Sequence, residues 1–238
     1  LDMVILHVVD DHAPAMARLS SSKLKEVILL NAQKDMEELM QSIKNNNSHD
    51  LTLSSAIVSD ASIKAGVETY AVNHDIDLIC IGTKGATGLK KLLFGSNAAG
   101  IISSSSVPVL TIPEDAIYKG VDNLVYSCDL ENIEKELELL IPLAETMNAW
   151  IHMLHINTEP EAFDYDLERQ KNRLEALYSF ENLTSKVLEN ESIIDGINQY
   201  LEGVDADMLV MFTRSTALFD KLFKPSITKK AAFQTKTP

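Results

Sequence analysis

The sequence predicts an α/β protein made of two tandem Rossmann-like domains, over residues 1–115 and 120–238, each a mostly parallel open sheet with helices on both faces. Three observations predict it. Strand-like runs alternate with helix-like ones along the chain, as they do when parallel strands are joined by helical crossovers. Several of the strand-like runs are apolar throughout, as strands covered on both faces require. The order of elements also recurs within the 238 residues, a length that suits one or two domains because single cores stop growing near ~250–300 residues.

The elements follow in order. Val4 to Val9 reads as an apolar strand. Leu24, Val27, Ile28, Ala32, Met36, Leu39 and Ile43 then recur at helical spacing and predict a helix over about 22–44. Residues 51–58 alternate like a strand, Ser62 is a capping residue for a helix over 63–73, and 78–81 is a short apolar strand. A helix over about 97–103 and a strand over 107–112 close the first set. The second set opens with a strand at 123–127 and a helix over about 133–147.

Internal repeats decide architecture, so the recurrence carries the most weight. A shift of 130 places Ser62-Ile63 on Ser192-Ile193, Gly66 on Gly196, Tyr70 on Tyr200, Asp75 on Asp205 and Asp77 on Asp207. The same shift places Thr83 on Thr213, Lys91-Leu92 on Lys221-Leu222, Ser96 on Ser226 and Pro108 on Pro238, without a gap. Upstream the shift becomes 148, with His7 falling on His155. The repeat leaves the strand and helix at 123–147 without a counterpart before Leu1, and the strand at 109–112 without one after Pro238. The first domain is therefore expected to lack its first strand and helix in this sequence, and the second its last strand.

Composition narrows the function. A formal net charge of −14 opposes binding to nucleic acid or to an anionic membrane, both polyanions. The two cysteines, Cys80 and Cys128, sit in apolar strand-like runs and read as small buried hydrophobes, which suits a reducing compartment. No apolar stretch reaches the ~18–20 residues that span a bilayer. The expected location is the cytoplasm.

One segment carries chemistry. Residues 82–96, reading Gly-Thr-Lys-Gly-Ala-Thr-Gly-Leu-Lys-Lys-Leu-Leu-Phe-Gly-Ser, leave an apolar strand and end where a helix begins. Glycines let the main chain approach a phosphate and turn successive N–H groups toward it. Gly95-Ser96 at a helix start adds unpaired N–H donors and the positive end of the macrodipole, and Lys84, Lys90 and Lys91 raise the local potential. In an open parallel sheet such ligands bind beyond the carboxyl ends of the strands. A P-loop is excluded because Leu89, not Lys, follows Gly88, and the dinucleotide fingerprint is excluded because the glycines are spaced by three.

The spacing gives G-x2-G-x9-G-[ST] through Gly82, Gly85, Gly95 and Ser96, flanked by Asp77-Leu78-Ile79-Cys80-Ile81 and Ser106-Val107-Pro108-Val109-Leu110. With these residues the chain resembles the universal stress protein family, whose ATP-binding branch carries that pattern after its fourth strand. The resemblance implies strand order 3-2-1-4-5 and ATP, with or without Mg²⁺, as the bound cofactor. It places Gly82, Gly85, Gly95, Ser96 and Asn97 around the phosphates and ribose, Ile81 just before them, and Val8 beside the adenine; Lys84, by its charge, is a further candidate for binding the cofactor. The family also uses an Asp at the end of the first strand, a place that Asp129 takes in the second unit. The second unit departs at the glycines: Phe212, Ser215, Leu218 and Pro225 stand for Gly82, Gly85, Gly88 and Gly95. Bulk and a proline without N–H remove the close approach and a donor, so ATP binding is not expected there.

Other features have plainer readings. His7 and His155 are expected to be satisfied core histidines. The run Arg214, Lys221, Lys224, Lys229 and Lys230 reads as a solvated face, Ser103 to Ser106 as a polar turn, and Glu131, Glu134, Glu136 and Glu138 with Asp129 as the exposed, acidic start of a helix. The function expected is that of a nucleotide-responsive binding protein, not an enzyme, with a regulatory or scaffolding role in stress response. Its expected partners are adenine nucleotide, a second copy paired along 109–112, and a protein of unknown identity. The alternatives are a slow ATP hydrolase and an interaction module that binds no nucleotide.

Overall fold

The computed structural model describes residues 2–10, 21–46, 52–83, 96–159, 165–212 and 237–238. The chain divides into two compact units, residues 1–79 with 100–109 and residues 80–99 with 110–238.

In the first half, β1 (Asp2–Asp10) and β2 (Thr52–Asp60) pair in parallel with His7 beside Ile57 and Asp10 beside Asp60. The long crossover between them contains α1 (Ser21–Asn46). This helix buries Ala32 and Met36, one turn apart, and leaves Val27, Ile28 and Leu39 exposed. A helix facing a two-stranded sheet meets too narrow a surface to cover its whole apolar stripe. α2 (Ile63–Asn73) starts at Ser62, whose Oγ accepts the Ala65 N–H at 3.2 Å. β3 (Ile79–Gly82) and β4 (Val109–Ile112), with α3 (Ser96–Ser104) between them in sequence, form a second two-stranded sheet. Ile79 N–H donates to Pro108 O and Thr83 N–H to Ile112 O, so the two strands advance in step, as parallel strands do.

The second half contains β5 (Asn123–Ser127), α4 (Ile133–Met147), β6 (Trp150–Asn157), α5 (Leu167–Tyr178), β7 (Leu183–Glu189), α6 (Ile193–Gly203) and β8 (Met208–Val210). Its four strands make one parallel sheet in the order β7-β6-β5-β8. Alternation along the central strands feeds two cores. Leu124, Tyr126, Ile151 and Met153 join Leu137 and Leu140 of α4 and Leu174 of α5, while Val125, Leu154 and Ile156 join Ile197 and Leu201 of α6. Helices therefore cover both faces of this sheet.

The sequence repeat has a geometric counterpart. A Cβ on Gly66 would lie 2.7 Å from Val8 Cγ1 and 3.1 Å from Asp60 Cβ; one on Gly196 would lie 2.9 Å from Ile156 Cδ1 and 3.2 Å from Asn190 Cβ. Ser192 caps α6 through the Asp195 N–H as Ser62 caps α2. Asp75 and Asp205 are both left-handed, at φ 49° and 50°. Leu209 N–H donates to Pro238 O as Ile79 N–H donates to Pro108 O.

Three expectations are corrected. Glu136 is buried, not on an exposed face, because its carboxylate accepts the Tyr126 hydroxyl hydrogen inside the β5–α4 core. His7 is exposed, and Cys80 is exposed while Cys128 is buried. An apolar run places a residue on a strand but does not supply the neighbours that cover it.

Candidate functional site

The candidate site begins at the carboxyl end of β3. Ile81 and Gly82 close that strand, and the Thr83 N–H is held by Ile112 O at 3.1 Å, with Thr83 buried. A Cβ at Gly82 would meet no described atom within 4 Å, so packing does not demand glycine here. Among the described residues none fills the space beside this main chain, which is the room a ligand approaching the backbone needs. Ser96 and Asn97 are the first two residues of α3, and Asn97 is exposed. The first turn of any helix presents N–H groups without intrahelical partners, which favours an anion there. Lys84, Gly85 and Gly95 lie outside the described residues. Val8 sits on β1 opposite Val58 and under Gly66, in the first compact unit, whereas Ile81, Gly82, Ser96 and Asn97 belong to the second. The structure thus places Gly82 at a strand end and Ser96 at a helix start, on either side of the glycine-rich segment.

The equivalent place in the second half is built differently. Phe212 follows β8 where Gly82 ends β3, and its ring packs edge-on against Tyr126 with centroids 5.9 Å apart at 88°. That contact joins Phe212 to the core that contains Leu137 and Met153. Asp129, beyond β5, turns its Oδ1 to the Glu131 N–H at 3.1 Å, and Leu130 takes the left-handed φ of 73°. His155 Nδ1 lies 3.0 Å from Cys128 O, so Nδ1–H is the donor. Burial pushes the Cys128 thiol up to about 12, an unreactive state. Ser215, Leu218, Pro225 and the basic run from Arg214 lie outside the described residues. No group of His, Cys, Asp and Glu suited to a metal ion occurs among the described residues. No helix among them is long and apolar enough to cross a membrane.

Two polar clusters escape a reading of the sequence. Glu136 shares the spacing of Ile133, Leu137, Leu140 and Ile141 on the buried face of α4, which is the signal that would have found its contact with Tyr126. His152, in a strand that also holds His155 and Asn157, bonds Thr184 and Asn123, and only the strand pairing brings those residues beside it.

Parallel strands, crossover helices and, in the second half, two covered faces define a Rossmann-like α/β protein. Residues 1–113 match the model of the universal stress protein family. The crystal structure of a universal stress protein from Archaeoglobus fulgidus DSM 4304 is similar with a TM-score of 0.66 and 18% identity, over 94% of this chain and 85% of that one. A candidate universal stress protein from Pseudomonas aeruginosa UCBPP-PA14 is similar with a TM-score of 0.52 and 14% identity, over 88% of this chain and 81% of the other. A protein of unknown function from Pseudomonas aeruginosa PAO1 shows a TM-score of 0.52 and 15% identity, over 87% and 80%. At these identities the likeness is one of fold, and it runs over most of the chain. No curated protein matches this chain.

Proposed function

We propose that the chain is a tandem universal stress protein in which the first domain binds ATP and the second serves as a regulatory or scaffolding partner. The observation that carries this reading is the contrast at one position: no described side chain against Gly82, an aromatic ring packed into the core at Phe212. In the first domain the main-chain amides from Gly82 through Lys84 and Gly85 to Gly95 and Ser96 hold the phosphates, and Asn97 and Ile81 flank them. Mg²⁺ accompanies the nucleotide where its phosphates recruit it. The order β7-β6-β5-β8 reads as third, second, first and fourth strand of its half. The bond from Leu209 N–H to Pro238 O supports a fifth position beside β8, in keeping with the order 3-2-1-4-5. The protein acts in the cytoplasm as a homodimer whose association with another protein responds to nucleotide.

Titration of labelled ATP against wild type and Gly95→Trp tests the site. Tryptophan would fill the space the phosphates need, so at least a tenfold loss of affinity is expected, roughly 1.4 kcal/mol or more. Equal binding by the two proteins removes the glycine segment from the account.

A further inference from the structure

His152 of β6 is the hub of a polar cluster that the first half lacks. Its Nδ1 lies 2.8 Å from Thr184 Oγ1 and its Nε2 lies 3.1 Å from Asn123 Oδ1. The edge of the ring faces Tyr200, with centroids 6.4 Å apart. Asn123, Thr184 and Tyr200 belong to β5, β7 and α6, so one imidazole ties three strands and a helix together. An amide oxygen only accepts, which assigns the hydrogen of the neutral ring to Nε2 and leaves Nδ1 to accept from the Thr184 hydroxyl. A proton added at Nδ1 reverses that contact. Thr184 must then turn its O–H away from the ring.

The surroundings offer an imidazolium little compensation. From α6 the facing titratable group is Tyr200. From β7 it is Lys186, a like charge two residues beyond Thr184 and so on the same face of the strand. Beside β5, the exposed Asp122 precedes Asn123. Asp207, ahead of β8, already accepts the N–H groups of Asp122 and Asn123 on its Oδ2, both at 2.9 Å. The equivalent positions in the first half are Val4 and Ser54, and the Ser54 hydroxyl donates to Met3 O.

We propose that the Asn123–His152–Thr184 cluster is an acid-sensitive latch, which holds the leading ends of β5, β6 and β7 together while His152 is neutral and loosens them when it is protonated. Burial lowers the His152 pKa below its ordinary value of 6.5. The unfolded chain therefore takes up the proton first. The latch contributes its full stability above about pH 6.5 and loses it progressively as the pH falls through the folded-state value. The loosening belongs to the second half alone.

The test is an NMR titration of the full chain from pH 7.5 to pH 5.0. Imidazole nitrogen shifts report the tautomer and the titration of His152, and amide exchange is followed in β1, β2 and β5–β7. The expected result is an Nε2–H tautomer that titrates below 6.5. Exchange in β5–β7, corrected for its intrinsic pH dependence, should quicken several-fold toward low pH while β1 and β2 change little. In His152→Gln, whose amide can reach Asn123 but cannot ionise, that pH dependence should flatten. His152 titrating at or above 6.5, or an unchanged pH dependence in His152→Gln, overturns the proposal. The wild-type titration decides it even if the variant does not fold.

Discussion

Strand β6 is flanked by β7 on one side and β5 on the other, whereas its counterpart β1 pairs, among the described residues, with β2 alone. The consequence shows in burial. Ile151, Met153 and Leu154 are fully covered, while Met3, at the place equivalent to Ile151, is 39% exposed. Both strands are rich in apolar residues, and each lies under a glycine of a later helix, Gly66 of α2 over β1 and Gly196 of α6 over β6. Local sequence therefore decides that a segment is a strand and which helix crosses it, while the number of neighbours decides how much of it leaves water. The same contrast separates Gly82, with no described atom within 4 Å of a Cβ there, from Phe212, whose ring closes onto Tyr126.

The sharpest way to break this comparison is to truncate equivalent kinds of side chain in the two halves. Leu137, fully buried in α4, should cost about 2–5 kcal/mol when changed to Ala, because a cavity is left in a close-packed core. Leu39 in α1, 47% exposed, should cost less than about 1 kcal/mol. Denaturant unfolding followed by hydrogen exchange in each half measures both, and similar costs would show that the first-half helix is better covered than its exposure indicates.

A smaller effect sharpens the comparison at the two glycines. Gly66→Ala would set its methyl against Val8, whose branched side chain has little freedom to move, and should destabilise the first half by about 1–3 kcal/mol. Gly196→Ala presses on Ile156 Cδ1 at 2.9 Å, which can swing aside, and on its branched Cγ2 at 3.0 Å, which cannot, so the loss should have the same sign and a somewhat smaller size because the approach is looser than at Gly66. Thermal unfolding of the pair compares them, and a gain in stability for Gly66→Ala would contradict the close approach. The smallest effect should be the most symmetric. Ser62→Ala and Ser192→Ala each remove one capping acceptor and should each cost about 1 kcal/mol, since both caps serve the same local geometry. Caps that differed widely in cost would show that the halves are less alike locally than their hydrogen bonds indicate.

Much of this architecture was legible before any coordinates. The helix 63–73 with its Ser62 cap, the strand 123–127 and the helix 133–147 were readable because capping, periodicity and strand propensity act over a few residues. The shift of 130 was readable too, and the paired left-handed residues Asp75 and Asp205 show that it reflects shared backbone geometry. For the candidate site the residue types and spacing from Gly82 to Asn97 were legible, and the coordinates add that the strand ends at Gly82 and the helix begins at Ser96. Less legible were the exposure of His7 and Cys80, the burial of Glu136 against Tyr126, and the meeting of His152 with Thr184 and Asn123.

By itself, then, the sequence determined the alternation of strands and helices, the internal repeat and a glycine-rich segment in one half whose counterparts in the other are Phe212, Ser215, Leu218 and Pro225. Only the tertiary structure decided which apolar faces are covered and which polar groups find partners. The reason is physical: secondary structure follows from interactions within a few residues, whereas desolvation and buried hydrogen bonds depend on groups that the chain brings together from far apart.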